Sequence, residues 1–283
     1  MKRNAIVRII IYSLIIVILL GILLTALGIN HFIIRTDSQT DTYTMGAGEV
    51  PAREVKNIDI EWAAGSITIE PGDTQTISFS ETGGKNAKPM IYRQVGNKLT
   101  IEFQASKVTV GFQKNDQKDL VIIVPWNWDC SELNVDAGAV NLTVNGLNAN
   151  DVELNLGAGN SYFTDCILGE LSINSAAGDV TYTGTLYSLD CDTTSGKVSA
   201  VFDNVPRTIE FDGVSADLDL TLPADAGFMV EMNTVSASFH SEFDTIIRDD
   251  QYICGDGSCR ISVDGVSGDV TLRKHSGDRQ KIY

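Results

Sequence analysis

Eight short segments of this chain can be laid over one another, and that internal repeat restricts the fold more than any other feature of the sequence. Ile173-Asn-Ser-Ala-Ala-Gly-Asp-Val180 and Val263-Asp-Gly-Val-Ser-Gly-Asp-Val270 are two of the eight. A small residue stands at a common zero position in each: Gly65, Gly138, Gly159, Gly178, Gly196, Ala216, Ala237 and Gly268. From Gly138 to Ala237 the steps are 21, 19, 18, 20 and 21 residues, one structural unit each time. Five residues before zero the side chain is always apolar. The residue just before zero is always Ala or Ser. Four before zero stands Glu61, Asn134, Asn155, Asn174, Asp192, Asp212, Asn233 or Asp264, always a carboxylate or its amide. Two after zero the residue is apolar in every copy except Ser161.

Short alternating runs of this kind read as a strand, a tight bend and a second strand. Glycine at the bend tolerates dihedrals that other residues avoid, so backbones of successive units can approach closely. Apolar side chains at minus five and plus two would point inward and stack on their equivalents one rung along, about 4.8 Å away. The Ala or Ser before each bend is expected to pack between rungs. One repeat cannot bury its own apolar face, but a stack can. The fold class expected is all-β, a β-solenoid or stacked β-sheet prism of about eight repeats.

Two interruptions break the period. Between Gly65 and Gly138 an inserted meander, about residues 74–124, holds strand-like runs with Gly96-Asn97 as a hairpin turn. Between Ala237 and Gly268 the surplus holds Asp249-Asp-Gln-Tyr-Ile-Cys-Gly-Asp-Gly-Ser-Cys259, a surface loop by composition.

The amino terminus is of another kind. From Ile9 to Ile29 no residue is charged, a length that at about 1.5 Å per residue crosses a hydrocarbon core of about 30 Å. One N-terminal transmembrane helix is therefore expected, with a cleaved signal ending near Ala26-Leu27-Gly28 as the alternative. Lys2, Arg3 and Arg8 precede the span and Asp37 and Asp41 follow it, which keeps the short amino end cytoplasmic and sends the rest out. The organisation reads as a tail (1–8), the membrane helix and its exit (9–34), a linker (35–50), an extracytoplasmic β-repeat domain (51–274) and a polar tail (275–283).

All 37 Asp and Glu residues follow position 36, while four of the 21 Lys and Arg precede it. The exported part is thus strongly acidic and repels phosphate backbones, which argues against nucleic-acid partners. Cationic or divalent partners stay open.

Few residues suggest chemistry. The three histidines, His31, His240 and His275, are scattered, and no serine, histidine and aspartate share a recognisable context. Asp192 and Asp212 fall on adjacent rungs about 5 Å apart, the separation that retaining glycosidases use, although Asn in the same column points to a hydrogen-bonding ladder instead. Cys254 and Cys259 enclose four residues in a loop outside the cytoplasm, where a disulfide is stereochemically allowed. Cys191 reads as a buried hydrophobe, and Cys130 and Cys166 share no column. No metal site, cofactor or catalytic residue is expected.

The repeats, Val124-Pro125 ending a strand before them, and Leu222-Pro-Ala-Asp-Ala-Gly-Phe228 leading into a later strand resemble the bacterial putative-adhesin family of β-strand-repeat proteins. The resemblance covers roughly residues 50–274 and brings no catalytic residues with it. It implies a surface interaction or structural module whose partner is a protein or cell-envelope polymer. The alternatives are an envelope-associated regulator acting through a membrane partner and, third, a β-helix carbohydrate-active enzyme.

Overall fold

The computed structural model describes residues 43–84, 88–104 and 117–275. The expected cytoplasmic tail and transmembrane helix lie outside the described residues, and among the described ones no helix is long and apolar enough to cross a membrane. Among the described residues the regular structure is sixteen strands and one 3-10 turn, Ala52–Glu54.

The repeats form one parallel stack. Its rungs are built from β3 (Asn57–Gly72), β8 (Asp129–Asn145), β9 (Asn148–Ala158), β10 (Ser161–Ala177), β11 (Val180–Phe202), β12 (Thr208–Pro223), β13 (Phe228–Ser241) and β16 (Cys259–His275). Each rung has a first leg, a bend and a second leg, and both legs hydrogen-bond in register to the rungs on either side. Alternate side chains point between the legs. Ile60, Leu154, Ile173, Cys191, Phe211 and Val263 come from the first legs and Ile67, Val180, Val198, Leu218 and Val270 from the second, all buried in a single core. At about 1.5–3 kcal/mol for each large aliphatic or aromatic side chain fully buried, this core is what makes the stack fold. Phe163, Tyr182 and Phe202 add an aromatic ladder with centroids 6.2 and 6.0 Å apart.

The inserted stretch is the foot of the stack. The hairpin of β5 (Ile91–Val95) and β6 (Lys98–Glu102), turning at Gly96-Asn97, places β6 against the first leg of β3. β7 (Lys118–Pro125) lies against its second leg, so β6 and β7 together supply one more rung. β1 (Thr44–Met45) pairs with β5, and β2 (Gly48–Pro51) with β4 (Thr76–Gly83), which in turn pairs with β7. At the other end β13 carries the hairpin of β14 (Ile246–Arg248) and β15 (Gln251–Cys254). Among the described residues the sheet is not closed.

Three expectations need correction. First, the bend of β8 is displaced by two residues. Val140, not Gly138, is the register partner of Gly65, and a Cβ on Gly159 would overlap the Val140 carbonyl oxygen. The step from this bend to Gly159 becomes 19 residues, equal to the next one, and Asp136 replaces Asn134 in the minus-four column. Second, the Ala or Ser before the bend is not a buried seam. Ala64 is buried, but Ala139, Ala158, Ala177, Ser215 and Ser236 are exposed on the outside of the turn. Close approach is made by the glycines instead: Gly65, Gly159, Gly178, Gly196 and Gly268 have φ between 122° and 139°, each against the backbone of the neighbouring rung. Third, Cys254 and Cys259 are free. Cys254 is the antiparallel partner of Phe228 and Cys259 its parallel partner, on opposite sides of β13. Two strand spacings, roughly 10 Å, then separate them, beyond the reach of a disulfide.

Candidate functional site

The outer face of the first legs is where parallel stacking concentrates polar groups. Because every rung keeps register, residues of one repeat position form a straight column. The minus-four column runs Glu61, Asp136, Asn155, Asn174, Asp192, Asp212, Asp264, Asn233 across the stack. Two residues earlier runs a second: Asp59, Asn134, Glu153, Ser172, Asp190, Glu210, Ser262, Glu231.

Amides and carboxylates behave differently along these columns. Asn155 Nδ2 donates to Asp136 Oδ1 at 2.9 Å, and Asn174 Nδ2 donates to Asn155 Oδ1 at 3.1 Å, the expected ladder. Beyond Asn174 the amides give way to carboxylates until Asn233 at the end of the column. Asp192, Asp212 and Asp264 occupy three consecutive rungs, because β16 is inserted between β12 and β13. Partial burial and the negative charges of Asp192 and Asp264 push the Asp212 carboxyl up to about 6. The Asp190 carboxyl is also raised, by burial and then by Asp192, Glu210 and Glu170. Sequence order alone placed Asn233, not Asp264, beside Asp212.

The second legs carry a different device, which the sequence reading missed. One residue after four of the bends an Asn or Asp caps the next rung: the backbone N–H of Asn160 donates to Asn141 Oδ1 at 3.0 Å, that of Asp179 to Asn160 Oδ1 at 2.9 Å, and that of Lys197 to Asp179 Oδ1 at 2.9 Å. The N–H of Asp269 repeats the contact on Asp217 at 2.9 Å. The two-residue displacement at Gly138 had put Ala139 in this column and hidden Asn141. Further along this face Arg273 and Lys197 both bind the Asp219 carboxylate; burial opposes its ionisation, but their hydrogen bonds prevail and hold it below its ordinary value.

Asp192 and Asp212 do stand side by side, on an open sheet surface. A cavity of about 350 Å³ lies at the far ends of the second legs, lined by Phe202, Asp203, Pro223, Ala224, Asp225 and His275. Among the described residues no cluster of three His, Cys, Asp or Glu has the arrangement of a metal site. His240 stands in the second leg of β13, opposite Thr271.

No curated protein matches this chain. Among solved structures it is similar to one described as a putative cell adhesion protein from Clostridium sporogenes, at 12% identity over 83% of this chain and 100% of that one, with a TM-score of 0.40. It is similar also to a putative adhesin from Bacteroides fragilis, at 12% identity over 82% and 98% and a TM-score of 0.44. A putative lipid binding protein from Parabacteroides distasonis gives 15% identity over 84% and 98%, with a TM-score of 0.44. The family model described as Toastrack DUF4097 matches residues 55–188 and again 130–273, overlapping spans that take in nearly the whole stack, and the chain belongs to that family.

Proposed function

We propose that this chain is a membrane-anchored, extracytoplasmic interaction module that performs no catalysis and meets a protein or cell-envelope polymer through the outer face of its first legs. The observation that carries this reading is the in-register stacking of two acidic columns on one exposed sheet face. Such a face presents its charges in register at regular spacing, which suits docking of an extended cationic partner better than enclosure of a small substrate. The anchor rests on the 21 uncharged residues from Ile9 to Ile29.

The test uses the full-length chain in its own membranes, joined to its partner by a carboxyl-to-amine crosslinker. Captured species should be lost when Asp190→Lys and Glu210→Lys are combined. The same species captured by both chains would remove the acidic face from the proposal. A mature amino terminus found near Ile29 would remove the anchor.

A further inference from the structure

One inward row of the core can be followed strand by strand to the end of the stack that carries β14 and β15. From Leu189 it passes through Ile209, Ile261 and Val230, all buried. Tyr252 of β15 continues it, half-buried and stacked on Phe239 with ring centroids 4.2 Å apart. The next member is Ile247, and it is 70% exposed. Directly opposed residues of paired strands share a face of the sheet, so Ile247 stands on the core side of β14 with its side chain in solvent. Ile246, on the other face of the same strand, is 66% exposed.

Among the described residues β14 pairs with β15 alone and ends the strand order. Soluble proteins commonly blunt such an edge with lysine or proline within the strand. Here the cation of the strand, Arg248, has its Nε 3.8 Å from the Asp249 carboxylate. Acidic groups stand at both ends of the edge, Asp244 before it and Asp249 and Asp250 after it, all exposed. These charges select the occupant. A second copy paired antiparallel about Ile247 would set Asp244 of each copy opposite Asp250 of the other, two like-charge contacts in one short interface. A strand with an apolar centre and a basic residue at each end meets Ile247 with apolar surface and the aspartates with opposite charge.

We infer that β14 is a docking edge for an extended segment of another protein, apolar at its centre and basic at both ends, which adds to the sheet as one further strand. Main-chain hydrogen bonds to β14 hold it, and its central side chain continues the core row beyond Ile247. This edge is separate from the acidic columns of the first legs, and either surface can fail alone.

The experiment is titration of the full-length chain in detergent with a short synthetic peptide, a valine between two threonines with two lysines at each end. Saturable binding is expected between roughly 1 and 100 μM, a range that spans weak specific association. Ile247→Glu should abolish it; the site is exposed, so folding is unaffected. That variant is more acidic than the parent, so general attraction of a basic peptide predicts the opposite result. N-methylation of the central peptide amides should also abolish binding, because it removes main-chain donors and keeps every charge. Asp190→Lys combined with Glu210→Lys should leave it unchanged. Absence of saturable binding would overturn the inference, as would binding that survives Ile247→Glu or N-methylation, or that is lost with the first-leg charges. Equal binding of a peptide with glutamates in place of the lysines would also overturn it. So would sedimentation of the parent as a dimer that Ile247→Glu returns to monomer, since the occupant would then be a second copy.

Discussion

Asp264 is the register partner of Asp212, although the whole of β13 lies between them in the chain. The insertion of β16 therefore sets a third carboxylate against a pair that already repels, and Asp212 holds its proton up to about pH 6. In the unfolded chain the same group ionises near its ordinary value of about 3.9. Between these values the folded state binds the extra proton, so this group's contribution to stability falls as pH rises from about 4 through 6 and stays low above. Asp212→Asn removes the penalty. The variant should exceed the parent by about 1 kcal/mol at pH 8, after allowance for solvent screening of a largely exposed group, and match it near pH 4. Urea unfolding of residues 36–283 at both pH values measures this, and an equal gain at both would refute it. Combined with Asp192→Asn, the substitution should leave the chain folded and weaken partner capture only in part, since Asp190, Glu210 and Asp264 keep their charges on the same face. Loss of a polysaccharide-cleaving activity in that double variant would favour the enzyme reading.

The bends give a second prediction, with a built-in contrast between neighbours. Gly178 has φ 135°, and a Cβ there would overlap the carbonyl oxygen of Gly159, whereas the Ala177 side chain is exposed. Gly178→Ala should cost about 2–4 kcal/mol through strain and overpacking together. Ala177→Leu should stay within about 0.5 kcal/mol of the parent. Comparable losses for the two would place the small-residue column back inside the stack.

That contrast also shows which features the sequence made legible. Repeat length, the inward columns and the hairpin at Gly96-Asn97 are written in local alternation and turn chemistry, and the structure has all three. The register of β8 was not legible, because alternation has a period of two: Leu133 or Val135 inward, Asn134 or Asp136 outward and Gly138 or Val140 at the bend all satisfy the same pattern. Strand order was hidden for a related reason. Met232-Asn-Thr-Val-Ser-Ala and Val263-Asp-Gly-Val-Ser-Gly are equivalent as rungs, so nothing local says which of them docks on β12. A feature specific to the observed order is the clasp of Arg273 on Asp219, at 2.9 Å, a contact between two distant segments.

Ser161 is the polar exception in the inward column, 1% exposed and flanked by Leu142 and Val180, with no protein partner for its hydroxyl. A buried, unsatisfied hydroxyl costs more than the apolar group that could replace it. Ser161→Val should raise stability by about 1 kcal/mol, read from the urea midpoint. A loss would show that the hydroxyl is bonded to trapped water.

The cysteines should stay unbridged. Burial pushes the thiols of Cys130, Cys191 and Cys259 up to about 12 and that of Cys166 up to about 11, which keeps them unreactive in the folded chain. Only Cys254 is partly exposed. Brief alkylation of the native protein should add at most one label, on Cys254, and five after unfolding without reductant. Fewer than five would reveal a disulfide.

The foot of the stack turns on a buried ion pair. Lys118, at the start of β7, reaches Glu81 of β4 at 3.0 Å with its side chain 2% exposed, and donates to the Lys88 carbonyl at 2.5 Å. Its ammonium group lies 4.5 Å from the centre of the Phe103 ring, while its own carbonyl accepts a hydrogen bond from Trp62 Nε1 at 2.9 Å. Removing one member of such a pair strands the other, and the usual cost is about 3–5 kcal/mol. Lys118→Met should lose that much, because Glu81 keeps its bond from the Met90 N–H but loses its counter-charge. Adding Glu81→Gln should recover a large part of the loss, since the amide carries no charge and its oxygen can still accept from Met90. Without that recovery, the damage would come from lost packing around Trp62 and Phe103, and the ion pair would not be what joins β4 and β7 to the first rung.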